Sequence, residues 1–108
     1  MTQGARILIV DDESHIRRSL HVNLESKGYA VEVAETGEQA LAAFVNRHPD
    51  VMIVDWLLPG INGVEVTRQV RESSSIPIIV LSAIGDERHK VEALEAGADD
   101  YMTKPFGM

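Results

Sequence analysis

The sequence predicts an α/β fold: a doubly wound, five-stranded parallel sheet with strand order 2-1-3-4-5. Three observations carry this expectation. Short apolar runs at 7–10, 51–54 and 78–81 alternate with segments whose apolar residues recur at helical spacing, and such alternation builds a parallel sheet. Those three runs are apolar throughout, as strands buried on both faces must be. Two further runs, 30–34 and 100–103, are interrupted by polar residues or short, which suits edges. The order 2-1-3-4-5 places the apolar strands inside and is a common doubly wound order.

The elements follow in turn. Ile7 to Val10 is the first strand. Ser14 to Lys27 carries Ile16, Leu20 and Leu24 at four-residue spacing, a helical stripe; Asp12 or Ser14 could cap it and Gly28 stops it. Ala30 to Ala34 is an edge strand interrupted by Glu32. Thr36-Gly37-Glu38-Gln39 reads as a capping box before a helix that turns Ala40, Leu41 and Phe44 inward and ends near His48-Pro49. Val51 to Val54 is the third strand. Asn62 caps a helix running to about Glu72, with Val66 and Val70 inward. Ile78 to Leu81 is the fourth strand. Asp86 begins a fourth helix with Val91 and Leu94 inward, closed near Gly97, and Asp100 to Thr103 is the last, short strand. Right-handed crossovers then put the first helix alone on one face and the second to fourth on the other.

Bulk composition narrows the function. The chain has 108 residues, enough for one domain with a modest core. Ten basic against 17 acidic residues give a formal net charge of -7, which argues against gripping nucleic acid or an anionic membrane. Cysteine is absent, excluding disulfides, thiol catalysis and cysteine-ligated zinc. The N-terminal stretch does not resemble a secretory signal, and no apolar run approaches membrane-spanning length. A cytoplasmic location is the expectation. No internal repeat or low-complexity segment is visible.

The chemistry gathers where strands end. The third strand runs straight into Asp55, and Pro59, Gly60 and Gly63 then mark a loop. The first strand runs into Asp11 and Asp12 in the same way. In open α/β sheets ligand chemistry collects at the carboxyl ends of strands, so the predicted order brings Asp11, Asp12, Asp55, Ser82 and Lys104 to one rim. Clustered carboxylates call for a divalent cation or raised pKa values. Oxygen ligands with remaining water suit Mg²⁺, and a lysine point charge beside the metal suits a phosphoryl group. The set specifies a carboxylate that can be phosphorylated, with Asp55 as nucleophile. Each residue alone has an ordinary reading: helix capping for Asp11 and Asp12, a turn for Asp55, solvation for Ser82 and Lys104, edge packing for Tyr101. The joint placement carries the inference. His15, His21, His48 and His89 share no spacing and read as solvated side chains.

These marks together resemble the receiver domain of a two-component response regulator: Asp11-Asp12, Asp55 followed by Leu58-Pro59-Gly60 and Gly63, Ser82-Ala83, and Lys104-Pro105-Phe106. The stretch from Gly97 to Gly107, GADDYMTKPFG, resembles OmpR/PhoB-type transcription regulators, with a lean towards the KdpE kind. The resemblance implies a CheY-like, flavodoxin-like fold and an Asp55 that takes a phosphoryl group from a sensor histidine kinase. It implies direct Mg²⁺ ligation by Asp12, Asp55 and the Leu57 backbone carbonyl, with Asp11 acting through water. Lys104 and Ser82 would bond phosphoryl oxygens, Tyr101 would follow Ser82 by changing rotamer, and Lys104-Pro105 would be a cis peptide. Lys90, Asp99 and Asp100 match positions that form salt bridges in family dimers.

The chain departs from the family at Trp56, where smaller aliphatic residues are usual and where it could shield or crowd the site, and at Asn62, often Asp. Only Gly107 and Met108 follow Phe106, so the expected chain is a receiver domain truncated before its fifth helix, with no effector domain. Part of one face of strands one, three, four and five would then lack cover, and self-association through it, or poor stability, is expected in place of the family's usual dimer. A small-molecule phosphatase is the competing class, but such enzymes need a second Asp two residues beyond the nucleophile, and Leu57 stands there. A module for interaction alone would not require the acid pair and Lys104.

Overall fold

The computed structural model describes residues 4–83 and 87–104. Five strands, β1 (Arg6–Val10), β2 (Ala30–Ala34), β3 (Val51–Asp55), β4 (Ile78–Ser82) and β5 (Asp100–Thr103), form one parallel sheet in the order β2-β1-β3-β4-β5. Four helices connect them: α1 (Ser14–Ser26), α2 (Gly37–Arg47), α3 (Gly63–Arg71) and α4 (Glu87–Ala96). Strand period divides the core in two. Leu8, Val10, Met52, Val54, Ile78 and Val80 face a cluster completed by Ala40, Val66, Val70 and Ala93 from α2, α3 and α4. Ile7, Ile9 and Leu81 face the opposite way and pack with Leu20 of α1.

The register sets up the site. Val10 pairs with Val54, so Asp11 follows level with Asp55. Asp55 pairs with Leu81, and Ser82 with Thr103, which brings Ser82 and then Lys104 onto the same rim. β3 and β4 each run one residue past the apolar stretch that predicted them. Ladder bonds continue there: Trp56 N–H donates to the Leu81 carbonyl and Lys104 N–H to the Ser82 carbonyl, both at 2.7 Å.

Two expectations need correction. The N-cap of α1 is Glu13, without a side-chain capping bond; neither Asp12 nor Ser14 takes that place. The fourth helix has a different phase: Val91 and Leu94 are 45% and 41% exposed, and Ala93 is the buried residue. With 100° per residue, Leu94 lies a quarter turn from Ala93 and Val91 on the far side. A small residue at the contact lets α4 dock on α3, and Arg71 of α3 bonds the Gly97 carbonyl (2.8 Å) and pairs with Asp99 (2.6 Å) beyond the helix end. The face beside α1 is unevenly covered: Ile7 and Ile9 of β1 are buried, Val51, Ile53 and Ile79 of β3 and β4 are partly buried, and Met102 of β5, level with Leu81, is exposed. The start of α4 at Asp86, and the expected features at Pro105 and Phe106, lie outside the described residues.

The α2 box is present in modified form. Thr36 Oγ1 accepts from Gln39 N–H at 3.1 Å, while Gln39 Oε1 accepts from Glu35 N–H at 2.9 Å, one residue earlier than the cap itself. Asn62 caps α3 by accepting from Glu65 N–H at 2.9 Å.

The phase of α4 is testable by urea denaturation. Leu94→Ser should change stability by no more than about 0.5 kcal/mol, whereas Ala93→Leu should cost about 1–3 kcal/mol by overpacking. Equal losses from the two substitutions would contradict the observed phase.

Candidate functional site

The carboxyl ends of β1, β3, β4 and β5 open into a cleft of about 470 Å³ lined by Asp12, Glu13, Asp55, Leu57, Leu58, Ser82 and Lys104 among others. Asp11 is fully buried at its base, and Asp55 and Ser82 are buried as well. Asp12 is exposed at the rim. Asp11, Asp12 and Asp55 each offer one carboxylate oxygen, and these three oxygens lie within 4.8 Å of one another. That set of hard oxygen donors, with an open side towards solvent, fits a Mg²⁺ ion that keeps part of its water shell.

Lys104 joins the acids. Its Nζ is 2.9 Å from Asp11 Oδ2, 2.9 Å from Glu13 Oε1 and 3.4 Å from Asp55 Oδ2. Sequence reasoning missed Glu13. Its signal was its place two residues after Asp11, on the last extended residue before α1. Arg17 was also missed: its guanidinium donates to the Asp11 carbonyl at 2.8 Å, fixing the turn in which the acid pair sits.

The loop after β3 is folded back tightly on Asp55. Gly63 N–H donates to the Trp56 carbonyl at 2.9 Å. A Cβ at Gly63 would come within 2.2 Å of the Asp55 carbonyl oxygen, so only glycine admits this approach. Gly60 has φ of 76°, the left-handed region where a side chain is strained.

Trp56 neither shields nor crowds the cleft. It is absent from the cleft lining and packs against the core cluster of α2, α3 and α4. Its ring meets His89 of α4 edge-on, with centroids 4.2 Å apart and planes at 65°. His89 is therefore half-buried rather than solvated. The buried Trp56 Nε1 and His89 Nδ1 have no hydrogen-bond partner among the described residues. Tyr101, paired in register with Val80, also packs on this cluster.

Electrostatics follow from this crowding. Burial, with the Asp11 charge adding to it, raises the Asp55 carboxyl from 3.8 to about 6, against the opposing pull of Lys104 and the Leu57 backbone N–H. Burial alone would lower Lys104, but bonds to Asp11 and Glu13 and the charges of Asp55 and Asp11 outweigh it, holding the ammonium above its ordinary range. The bond and charge of Lys104 hold Glu13 below the usual carboxylate range.

The Asp55 shift has a sign that can be measured. The folded chain binds this proton more tightly than the unfolded chain, so the stability it contributes is fully present below 3.8 and is lost as pH rises through about 6. In metal-free buffer Asp55→Asn should be more stable than the parent by about 1–3 kcal/mol above that range, and the gap should close towards about pH 4. Urea melts across pH would show it; a gap independent of pH would contradict it.

Fold and rim together define a receiver-type α/β carboxylate site. A family profile described as the response regulator receiver domain matches residues 7–108, and the chain belongs to that family. Its relatives are OmpR/PhoB-type regulators. It is 46% identical over 105 residues to the transcriptional regulatory protein ResD of Bacillus subtilis, covering 97% of this chain and 44% of that protein. It is 49% identical over 106 residues to the phosphate regulon transcriptional regulatory protein PhoB of Pseudomonas aeruginosa, covering 95% and 46%. It is 50% identical over 102 residues to the transcriptional regulatory protein KdpE of Mycobacterium tuberculosis, covering 94% and 45%. The chain thus spans less than half the length of these curated relatives. Among solved structures, the chemotaxis response regulator CheY4 of Vibrio cholerae matches with a TM-score of 0.91 at 35% identity, over 98% of this chain and 90% of that one. The receiver domain of Francisella response regulator 1452 matches with a TM-score of 0.90 at 32% identity, over 96% and 87%. Receiver domains of this family interact with sensor histidine kinases and bind Mg²⁺. No described helix is long and apolar enough to cross a membrane.

Proposed function

We propose that this chain is a phosphorylation-controlled switch in which Asp55 is the phosphoacceptor. The observation that carries the reading is the convergence of Asp11, Asp12 and Asp55 on one cleft, with Lys104 bridging Asp11 and Asp55. A carboxylate oxygen of Asp55 attacks phosphorus in a phosphohistidine of the kinase. The P–N bond breaks, and its electron pair leaves with the imidazole nitrogen. Lys104 offsets charge on the phosphoryl oxygens, and the Ser82 hydroxyl donates to one of them. Asp12, Asp55 and the Leu57 carbonyl would hold Mg²⁺ directly, with Asp11 acting through water. When bound, the ion offsets the mutual repulsion of the acids and the charge on the phosphoryl group. Tyr101 of β5, which packs on the core cluster, would follow a displacement of Ser82 by changing rotamer and so alter the α4–β5 surface. The output is transcription regulation by an effector outside these 108 residues, as the names of the relatives suggest, and the setting proposed for it is the cytoplasm.

Leu57 is apolar and well exposed on the cleft wall, so it offers no hydrogen bond to a hydrolytic water. Ile84, an apolar residue two positions after Ser82 that would flank the same water, lies outside the described residues. Slow self-dephosphorylation follows. Acetyl phosphate with Mg²⁺ should give one phosphate adduct by intact mass, lost in Asp55→Asn and strongly reduced in Asp12→Ala and Lys104→Ala. Mg²⁺ affinity should fall in Asp12→Ala but hold in Lys104→Ala. No adduct on the folded parent, or an adduct that decays within seconds, would count against this reading.

The chain is also proposed to self-associate through the incompletely covered face of β1, β3, β4 and β5 beside α1, where Val51, Ile53 and Ile79 are only partly buried and Met102 is exposed. Of the residues matched to family salt bridges, Lys90 and Asp100 are exposed. Asp99 is already engaged within the chain, its Oδ2 accepting from Arg71 at 2.6 Å and from Ile78 N–H at 2.8 Å. Sedimentation velocity over a concentration series should show reversible association that Ile53→Lys reduces; a monomer at every concentration would refute it.

A further inference from the structure

We infer that Glu13 is a displaceable counter-ion for Lys104, a positioning residue that holds the lysine in the cleft and opposes entry of an anionic phosphodonor until the phosphoryl group takes its place. This rests on the reading of Asp55 as phosphoacceptor.

The backbone of Glu13 is fixed from both sides. Its N–H donates to Asp11 Oδ1 at 2.9 Å, and its carbonyl accepts from Ile16 and Arg17 N–H at 3.2 and 3.1 Å as α1 begins. Asp11 therefore uses one oxygen to set Glu13 and the other to pair with Lys104. Lys104 Nζ closes the ring by donating to Glu13 Oε1 at 2.9 Å. The second Glu13 oxygen lies 3.7 Å from His15 Nε2.

An ammonium has three hydrogens, and Lys104 faces three carboxylates. A phosphoryl oxygen on Asp55 that bonds Nζ competes with these partners, and the hydrogen bond in its way is the one to Glu13 Oε1. Asp11 is fully buried, its side chain 0% exposed, and a buried carboxylate stripped of its cation is costly. Asp55 is the group that carries the phosphoryl. The Glu13 side chain is 45% exposed, so water can replace the lysine at small cost. Glu13 is the partner that yields.

Its charge has a second effect. Asp11, Asp12, Asp55 and Glu13 surround a single lysine, so the unloaded cleft is strongly anionic. Glu13 lines the cleft itself, where a phosphodonor must enter. Removing its charge should ease entry, most for the most highly charged donor.

The test compares Glu13→Gln with the parent at saturating Mg²⁺, using two donors. Acetyl phosphate is a dianion near neutral pH; phosphoramidate carries one fewer net negative charge. The variant should accept phosphate from acetyl phosphate about three- to tenfold faster, within the range of exposed charge interactions. The gain should be smaller with phosphoramidate and should shrink as salt is raised. Thermal melting should differ by only a few degrees, since the side chain is half-exposed. An unchanged or slower rate overturns the inference, as does a gain equal for both donors and indifferent to salt. A parent chain that takes no phosphate from either donor overturns the acceptor reading as well; a phosphorylated parent with an unaltered variant overturns the role of Glu13 alone.

Discussion

The structure depends on one electrostatic constraint: several carboxylates held at the ends of adjacent parallel strands around a single lysine. Parallel pairing in this register makes the crowding unavoidable, because Asp11 and Asp55 follow residues that are themselves paired. The sheet core that enforces it is fully apolar and gives the acids no way to move apart. Lys104 relieves part of the repulsion, while burial first, and then the Asp11 charge, keep the Asp55 carboxyl raised. Stability is thereby surrendered at the site and supplied by the buried strands around it.

The surroundings are arranged to keep this cluster in one geometry. Arg17 anchors the Asp11 carbonyl, Asp11 anchors the Glu13 backbone, and Glu13 reaches back to Lys104. On the other side, the close approach of Gly63 to the Asp55 carbonyl fixes where the loop after β3 runs. Each contact is local and ordinary. Together they hold the Asp55 carboxylate buried, but accessible from a cleft.

Helix α4 is held more lightly than the rest. Its buried contact is Ala93, and its larger apolar residues face outward. Two anchors flank it: the edge-on ring contact of Trp56 with His89 near its start and the polar Arg71 bonds to Gly97 and Asp99 beyond its end. A small buried contact and a few side-chain anchors are what an element needs if it is to shift without disturbing the core.

The amino-acid sequence by itself determined the element order, the interior place of the three apolar strands and the gathering of Asp11, Asp12, Asp55, Ser82 and Lys104 at one rim. Those follow from period and strand order, which are local or nearly so. Tertiary structure decided the rest. The phase of α4 was not legible, because a short helix with few apolar residues has no unique hydrophobic stripe, and a small residue won the contact. The half-buried state of His89 depended on where Trp56 turned. Asp99 was committed to Arg71, 28 residues away in the chain. Glu13 entered the site only because the Asp11 side chain set its backbone and Lys104, from the far edge of the sheet, came within reach. Pairings of that kind depend on positions in space that no spacing along the chain encodes.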